Sequence, residues 1–171
     1  MSRSKGSDPR QAGGAGGGGF KVGNSPDLVS SNLVKRFYEF WRSRGRDGAL
    51  PSKVDMDPAE MAPFLANIIL TEVLHDPLDF RYRIIGEEVI ARTGNNTGKR
   101  VREMALNNLS GSAYQNYCTV VTSREPQFLE GDAITASKPG RPYLMSRVHC
   151  PLSSDGKTVD FIISCVSFHH R

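Results

Sequence analysis

The last thirty residues of the chain place the strongest limit on its fold. Two apolar, β-rich runs, 142–152 and 158–168, lie on either side of Asp155-Gly156. This arrangement is typical of a β-hairpin, because glycine adopts the backbone angles of the turn without steric cost. Both alternating faces of the second run are apolar and include Phe161, Ile163, Ile162 and Val166. The pattern therefore predicts a central strand covered on both sides.

Length and composition indicate one folded domain behind a tail. The chain has 171 residues, of which 38% are hydrophobic, so it has room for one core and not for two. Residues 1–24 are rich in glycine and contain Phe20 as their one large aromatic residue, which predicts a disordered tail. We assign 25–48 to an amphipathic helix and 49–171 to the domain body. No apolar run resembles a signal peptide or is long enough to span a membrane, so we expect a cytoplasmic protein without membrane contact.

The positive net charge is confined to the first part of the chain. Residues 1–46 hold nine lysines and arginines against three acidic residues, and the remainder holds thirteen against fifteen. A surface that follows phosphates needs clustered cations on the folded domain. We therefore expect no nucleic-acid partner.

The three cysteines, Cys118, Cys150 and Cys165, are far apart in the sequence and form no CxxC pair. Such spacing predicts buried thiols in a reducing compartment, with neither a disulfide framework nor a zinc site. The acidic residues between 55 and 60 lack the glycine and the final glutamate of a calcium loop. We expect no metal.

Residues 25–48 carry the signals of an amphipathic helix. Ser25 suits the N-cap, Pro26 the first helical position and Asp27 the positive end of the helix dipole. An apolar stripe at helical spacing is formed by Leu33, Phe37, Phe40 and Trp41. This stripe has two possible uses. It can pack on the chain's own sheet, or it can pair with the same helix of a second copy, and we predict a homodimer through these four residues.

The order of the remaining elements predicts an α+β domain. Two strands at 67–74 and 80–85 are followed by short helical segments between 87 and 124. Three strands then come in succession, beginning near Gln127. Neighbouring strands joined by short turns pair antiparallel. We expect a five-stranded antiparallel sheet with the short helices crossing one face.

This order, and four short motifs, resemble the PAS fold, in particular the stand-alone PAS-domain proteins of alphaproteobacteria. The motifs are Trp41 followed by Gly48-Ala49-Leu50-Pro51-Ser52, then Asp79-Phe80-Arg81-Tyr82-Arg83, Thr97-Gly98-Lys99, and Pro151-Leu152-Ser153-Ser154-Asp155-Gly156. The resemblance covers about residues 33–168. It implies the strand order 2-1-5-4-3, a small-molecule pocket between the sheet and the short helices, and a sensory or protein-interaction role. The long helix holds no haem-ligating histidine, and no cysteine lies where flavin photosensors carry theirs, so we expect no cofactor.

The predicted pocket combines aromatic residues with a few polar ones. Its candidate ligand-binding residues are Tyr82, Ile84, Tyr114, Tyr117, Cys118, Phe128, Tyr143, Arg147, His149, Phe161 and Ile163. Arg147 in a strand suited to burial must be paired or solvated, because an unpaired buried charge is costly. It can bind a carboxylate or phosphate of a ligand. Alternatively, it forms an ion pair with Glu130, Asp132 or Glu72, or its face meets the first helix or water.

The sequence thus predicts a small-molecule sensing or signal-regulatory domain that acts through contact with a regulatory protein. Two alternatives stay open. One is a dimeric interaction module with a filled core and no ligand. The other is a small isomerase or dehydratase-like enzyme, for which His149 with Asp132 is the one candidate catalytic pair. No serine–histidine–aspartate or paired-carboxylate spacing occurs, so we expect no enzymatic activity.

Overall fold

A computed structural model describes residues 19–105, 111–133 and 143–170. The predicted tail up to residue 18 lies outside this part. The strands are β1 (Lys21–Gly23), β2 (Ile68–Leu74), β3 (Asp79–Ile85), β4 (Gln127–Ala133), β5 (Tyr143–Leu152) and β6 (Phe161–His170). The α-helices are α1 (Asn32–Ser43), α2 (Glu87–Thr93), α3 (Val101–Ala105) and α4 (Gly111–Ser123).

The strands form one antiparallel sheet in the order β1-β4-β5-β6-β2-β3. The α+β class is confirmed, and the architecture is compatible with a PAS-like fold. The predicted number of five strands is wrong, because the short strand β1 adds a sixth at the edge. Without β1, the remaining five strands have the predicted spatial order, which is β3-β2-β6-β5-β4 in the numbering used here.

The closing hairpin occupies the centre of the sheet, as predicted. β5 pairs with β6 along its whole length, from Tyr143 opposite His170 to Leu152 opposite Phe161. Every residue of β6 from Ile162 to Ser167 is buried, whichever face it points to. Two layers must therefore cover this strand, one on each face of the sheet.

Helix α1 covers one face, which we call the α1 face. Ser31 caps the helix by accepting a hydrogen bond from the Val34 backbone N–H at 3.3 Å. Trp41 Nε1 donates to the Pro151 carbonyl oxygen at 3.0 Å and so fixes the helix to β5. The sheet residues packed beneath it are Ile68, Leu70, Phe128, Val148, Cys150, Leu152, Ile163 and Cys165.

This packing corrects the predicted dimer interface. Phe37 is fully buried and Trp41 is 7% exposed within the single chain, so neither is available to a second copy. Leu33 and Phe40 lie at the margin of the same cluster and are only partly buried. The sequence left open whether the stripe packs on the sheet or joins two copies. Phe37 and Trp41 pack on the chain's own sheet.

The start of the chain also differs from the predicted tail and helix. Residues 21–23, assigned to a disordered tail, form β1 against β4. Ser25 does act as a cap, since its Oγ accepts from the Asp27 N–H at 3.2 Å, but it caps only a single 3-10 turn at Pro26–Leu28. The α-helix begins later, at Asn32.

Helices α3 and α4 cover the opposite face, which we call the α4 face. Its central contacts join Tyr117 of α4 to Phe80 and Tyr82 of β3, with ring centroids 5.2 and 6.4 Å apart. Val101 of α3 and Val73 of β2 also belong to this second cluster. Helices α3 and α4 therefore lie on one face, and the other face belongs to α1.

A β-bulge changes the alternation in β3. Leu70 is opposite Ile84, but the next residue, Thr71, is opposite Tyr82, so Arg83 is extra. Period-two spacing had placed Phe80, Tyr82 and Ile84 on one face. The bulge moves Ile84 to the other face of this edge strand, where 55% of its surface is exposed.

The bulge leads to a testable prediction about Ile84. Because the side chain is largely exposed, we expect Ile84→Ala to change the free energy of unfolding by no more than about 0.5 kcal/mol. Ile163→Ala, at a residue 2% exposed, is the matched control and should cost about 2–5 kcal/mol. Urea unfolding of both variants measures the difference. An equal loss at the two positions would contradict the bulged register.

Candidate functional site

The α4 face brings together an arginine, a histidine and two tyrosines. Arg147 and His149 are two residues apart on β5 and therefore point to the same side of the sheet. Tyr82 comes from β3, and Tyr117 reaches down from α4. The His149 ring lies 4.9 Å from the Tyr117 ring in an edge-to-face arrangement. The polar groups thus lie between the sheet and the helix that covers it.

His149 is held by one hydrogen bond and has an unused nitrogen. Its Nδ1 lies 2.6 Å from the hydroxyl oxygen of Ser164 on β6. The side chain is 1% exposed, and Nε2 has no hydrogen-bond partner within the described part of the chain. Burial lowers the pKa of His149 well below 6.5, and the nearby charge of Arg147 lowers it further. The imidazole is therefore neutral at neutral pH.

None of the three carboxylates proposed as partners pairs with Arg147. Glu130 points to the α1 face, where Ser30 and Ser146 donate hydrogen bonds to its Oε1. Glu72 forms its ion pair with Arg83. Asp132 is opposite Leu144 in the register, which places it on the α1 face as well. The predicted ion pair of Arg147 is therefore wrong, and these carboxylates leave the guanidinium without a counter-charge.

Aromatic groups surround Arg147 instead. Its Cζ lies 5.6 Å from the centre of the Phe20 ring, and its Nε is buried without a hydrogen-bond partner among the described residues. Burial lowers the pKa of Arg147, while the neighbouring hydroxyls of Tyr117 and Tyr82 act in the opposite direction. Burial also raises the pKa of Tyr82 well above 10, with Tyr117 adding to the effect. The Tyr82 phenol is therefore protonated, and it supplies polarity without charge.

Two further polar groups of this face were missed by the sequence reasoning. Gln127 is directly opposite His149 on β4, and Thr71 lies beside Tyr82 on β2. Gln127 Oε1 and Thr71 Oγ1 are buried and have no partner among the residues that the structure describes. The available signal was the position of each residue in its strand. Gln127 and Thr71 alternate with neighbours that point to the α1 face, so both must point to the α4 face.

The structure places seven of the predicted pocket residues on the α4 face or in its cover. Tyr114 donates a hydrogen bond to the Leu78 carbonyl oxygen at 3.2 Å, and Cys118 packs at the cluster's margin. Tyr143 lies toward the end of the sheet, next to His170. The seven are Tyr82, Tyr114, Tyr117, Cys118, Tyr143, Arg147 and His149.

The remaining candidates lie elsewhere. Phe128, Phe161 and Ile163 belong to the α1 face, where Phe128 is fully buried beside Tyr38. Ile84 is exposed, as described above. The error has one cause. Alternation divides the residues of a strand between the two faces of the sheet, but it does not say which residues of a neighbouring strand share each face.

On the α4 face, the Tyr117 ring packs against Phe80, Tyr82 and His149. Two surface depressions among the described residues lie elsewhere. One lies between Lys35, Phe40 and Phe64 beside α1, and the other between Arg46, Val54 and Asp155. A ligand on the α4 face must therefore displace groups that now pack there.

The cysteines and acidic residues form no metal site in the described ranges, where no group of three His, Cys, Asp or Glu side chains converges. Cys150 and Cys165 are buried on the α1 face, and burial raises the pKa of Cys165 to about 12. Both thiols therefore stay protonated and unreactive. No helix in the part of the chain described here is long and apolar enough to cross a membrane.

The catalytic pair considered for an enzyme is not brought together. His149 faces α4, whereas Asp132 lies on the opposite face and pairs with the far end of β5. The sheet backbone separates the two side chains. A proton-transfer mechanism through this pair is therefore excluded.

No protein-family model and no curated protein matches the chain. Among solved structures, one match is described as the structure of an RNA-binding light-oxygen-voltage receptor. Its TM-score is 0.48 and its sequence identity 11%, over 72% of this chain and 35% of that receptor's chain. The chain thus spans about a third of the receptor. A similarity of this size carries no argument about function.

Proposed function

We propose that the chain is a PAS-type sensory or signal-regulatory domain that binds a small molecule on the α4 face. One observation carries the proposal. On a sheet face covered by a helix, His149 and Arg147 are held with nitrogen atoms that no described residue satisfies. Buried polar groups are nearly always hydrogen-bonded, and exceptions mark strained or functional positions. A ligand that forms hydrogen bonds with these atoms would remove the free-energy cost of leaving them buried without a partner.

The fold supports the same proposal in a second way. The five longer strands have the order that the resemblance to stand-alone PAS-domain proteins implies, and short helices cover one face. We propose that the protein is cytoplasmic and bacterial, that it lacks enzymatic activity, and that its signal passes through contact with a regulatory protein. Leu33 and Phe40, the partly exposed residues of the α1 stripe, are the proposed contact between two copies.

Ligand binding is tested by thermal unfolding of the full chain against a panel of metabolites, with native mass spectrometry of protein purified from cells. We expect at least one small molecule to raise the Tm, because a ligand at a hundred times its Kd stabilises the folded state by about 2.7 kcal/mol. Tyr117→Phe removes one hydroxyl from the α4 face and should reduce this stabilisation. Tyr38→Phe, which removes a hydroxyl from the opposite layer, should preserve it.

The second candidate is an interaction module that binds no ligand. The packing of the α4 face favours it, since Tyr117 already contacts Phe80, Tyr82 and His149. An unchanged Tm across the whole panel, with nothing bound in native mass spectrometry, would support this module and contradict the sensory proposal.

A further inference from the structure

Arg147 and His149 together present two hydrogen-bond donors on the α4 face. A guanidinium carries only donors. For His149, the Ser164 hydroxyl has the imidazole as its one described side-chain contact. If Ser164 donates to Nδ1, only the Nε2 hydrogen stays without a partner. In the other tautomer, the hydroxyl hydrogen and the Nε2 lone pair are both left over. The first arrangement leaves fewer groups unsatisfied, so Nε2 is a donor.

The charge on this face selects the kind of acceptor. Arg147 contributes one positive charge, and the carboxylates Glu130, Glu72 and Asp132 are directed elsewhere. Burial keeps both His149 and Tyr82 neutral at neutral pH, because it lowers the pKa of the imidazole and raises the pKa of the phenol. A single negative charge would balance the site, whereas a dianion such as a phosphate monoester would bring a second charge into a buried region. A carboxylate also matches the planar fork of a guanidinium.

Phe20 covers the guanidinium from the edge of the sheet. Its ring lies over Arg147, and 36% of its surface is exposed. It reaches this place because β4 has glycine at 131, where a Cβ would stand 2.9 Å from Phe20 Cδ1. Phe20 directly precedes β1, which is only three residues long. Phe20 is therefore a partly exposed group next to a short edge strand, and it can leave the guanidinium without opening the core.

We propose that the α4 face binds the carboxylate of a small monoanionic ligand through the Arg147 guanidinium and His149 Nε2. The ligand enters by displacing the Phe20 ring. Its apolar body then lies against Tyr82 and Tyr117. This inference rests on the proposed function, because it names the ligand class of the same face.

Calorimetric titration of the full chain at neutral pH with benzoate and hexanoate tests the proposal. We expect at least one of these carboxylates to bind, and benzamide to show no binding at the same concentration. Arg147→Met, which keeps an unbranched side chain and removes the charge with the guanidinium, should weaken carboxylate binding by about ten- to a hundredfold. Arg147→Lys keeps the charge but lacks the planar guanidinium. Its affinity for the carboxylate should lie between those of Arg147→Met and the unmodified chain. His149→Asn should weaken binding by a smaller factor than Arg147→Met.

The ligand's route past Phe20 has its own variants. Phe20→Ala removes the ring that competes for Arg147, and Gly131→Ala pushes the ring away from its place. Both should tighten carboxylate binding. Val22→Ala is the matched control on the same strand, at a residue 49% exposed, and should leave the affinity unchanged.

Several results would overturn the inference. These are an unchanged affinity in folded Arg147→Met, benzamide binding as tightly as benzoate, or phenyl phosphate binding more tightly than either carboxylate. Absence of carboxylate binding to both the unmodified chain and Phe20→Ala overturns it too. If neutral metabolites still bind in that case, the sensory proposal stands and only the ligand class is wrong. If nothing binds, both fail.

Discussion

Phe37→Ala is expected to lower the free energy of unfolding by about 3–5 kcal/mol. The ring is fully buried and contacts Phe64 edge-to-face at 5.5 Å. The substitution therefore leaves a cavity between α1 and the sheet, which neighbouring side chains cannot fill without leaving their own contacts. Urea unfolding followed by circular dichroism measures the loss. It should be independent of protein concentration, because the ring packs within one chain.

Phe40→Ala is the matched control on the same helix. Phe40 lies at the margin of the core, and Arg44 Cζ lies 4.7 Å from the centre of its ring. Its truncation should cost clearly less than that of Phe37. If α1 also joins two copies, Phe40→Ala should weaken the dimer in analytical ultracentrifugation. A larger loss of stability for Phe40→Ala than for Phe37→Ala would contradict the packing of α1 described above.

The second large effect is a loss of stability in mild acid. Burial, with the charge of Arg147, holds the pKa of His149 below its ordinary 6.5. Below that pH the unfolded chain binds a proton that the folded chain does not. The contribution of neutral His149 to the free energy of unfolding is therefore complete above pH 6.5. It is lost as the pH falls from 6.5 toward the lowered pKa, at up to about 1.4 kcal/mol per pH unit. Chemical unfolding at a series of pH values measures this slope.

His149→Asn should remove this part of the pH dependence, because an amide does not titrate. His75→Asn, at an exposed histidine between β2 and β3, is the control and should keep the decline. Asp155 acts in a separate window. The Thr158 and Lys157 backbone N–H groups lower its pKa from 3.8 to about 2, so its contribution is lost only below pH 3.8. A decline below 6.5 that persists in His149→Asn would show that His149 is not its source.

Local pattern was a good guide to the elements of this chain. Asp155-Gly156 between two apolar runs predicted the hairpin, and two apolar faces on the second run predicted its central position. The start of α1 was placed too early because Ser25-Pro26-Asp27 carries the chemistry of a helix cap. Capping groups satisfy the first N–H groups of a turn, whether or not a helix follows. Here the chain makes a single 3-10 turn and caps again at Ser31.

The candidate site was predicted in part. Arg147, His149, Tyr82 and Tyr117 were identified because polar and aromatic residues interrupt otherwise apolar patterns. Phe20 was assigned to the tail, since three residues of strand in a glycine-rich region give no local signal. Gln127 and Thr71 were missed for a related reason. A single polar residue in a strand has no significance until the layer above it is known.

The sequence alone determined the five longer strands and the main helices, and that the last strand lies inside the sheet. These features depend on the spacing of apolar residues and on turn chemistry, both of which act within a few residues. Only the tertiary structure decided which face each strand residue joins, where Phe20 lies, and that Arg147 lacks an acidic partner among Glu130, Asp132 and Glu72. Those outcomes depend on register, on one bulge and on contacts between residues a hundred positions apart, for which no local pattern carries information.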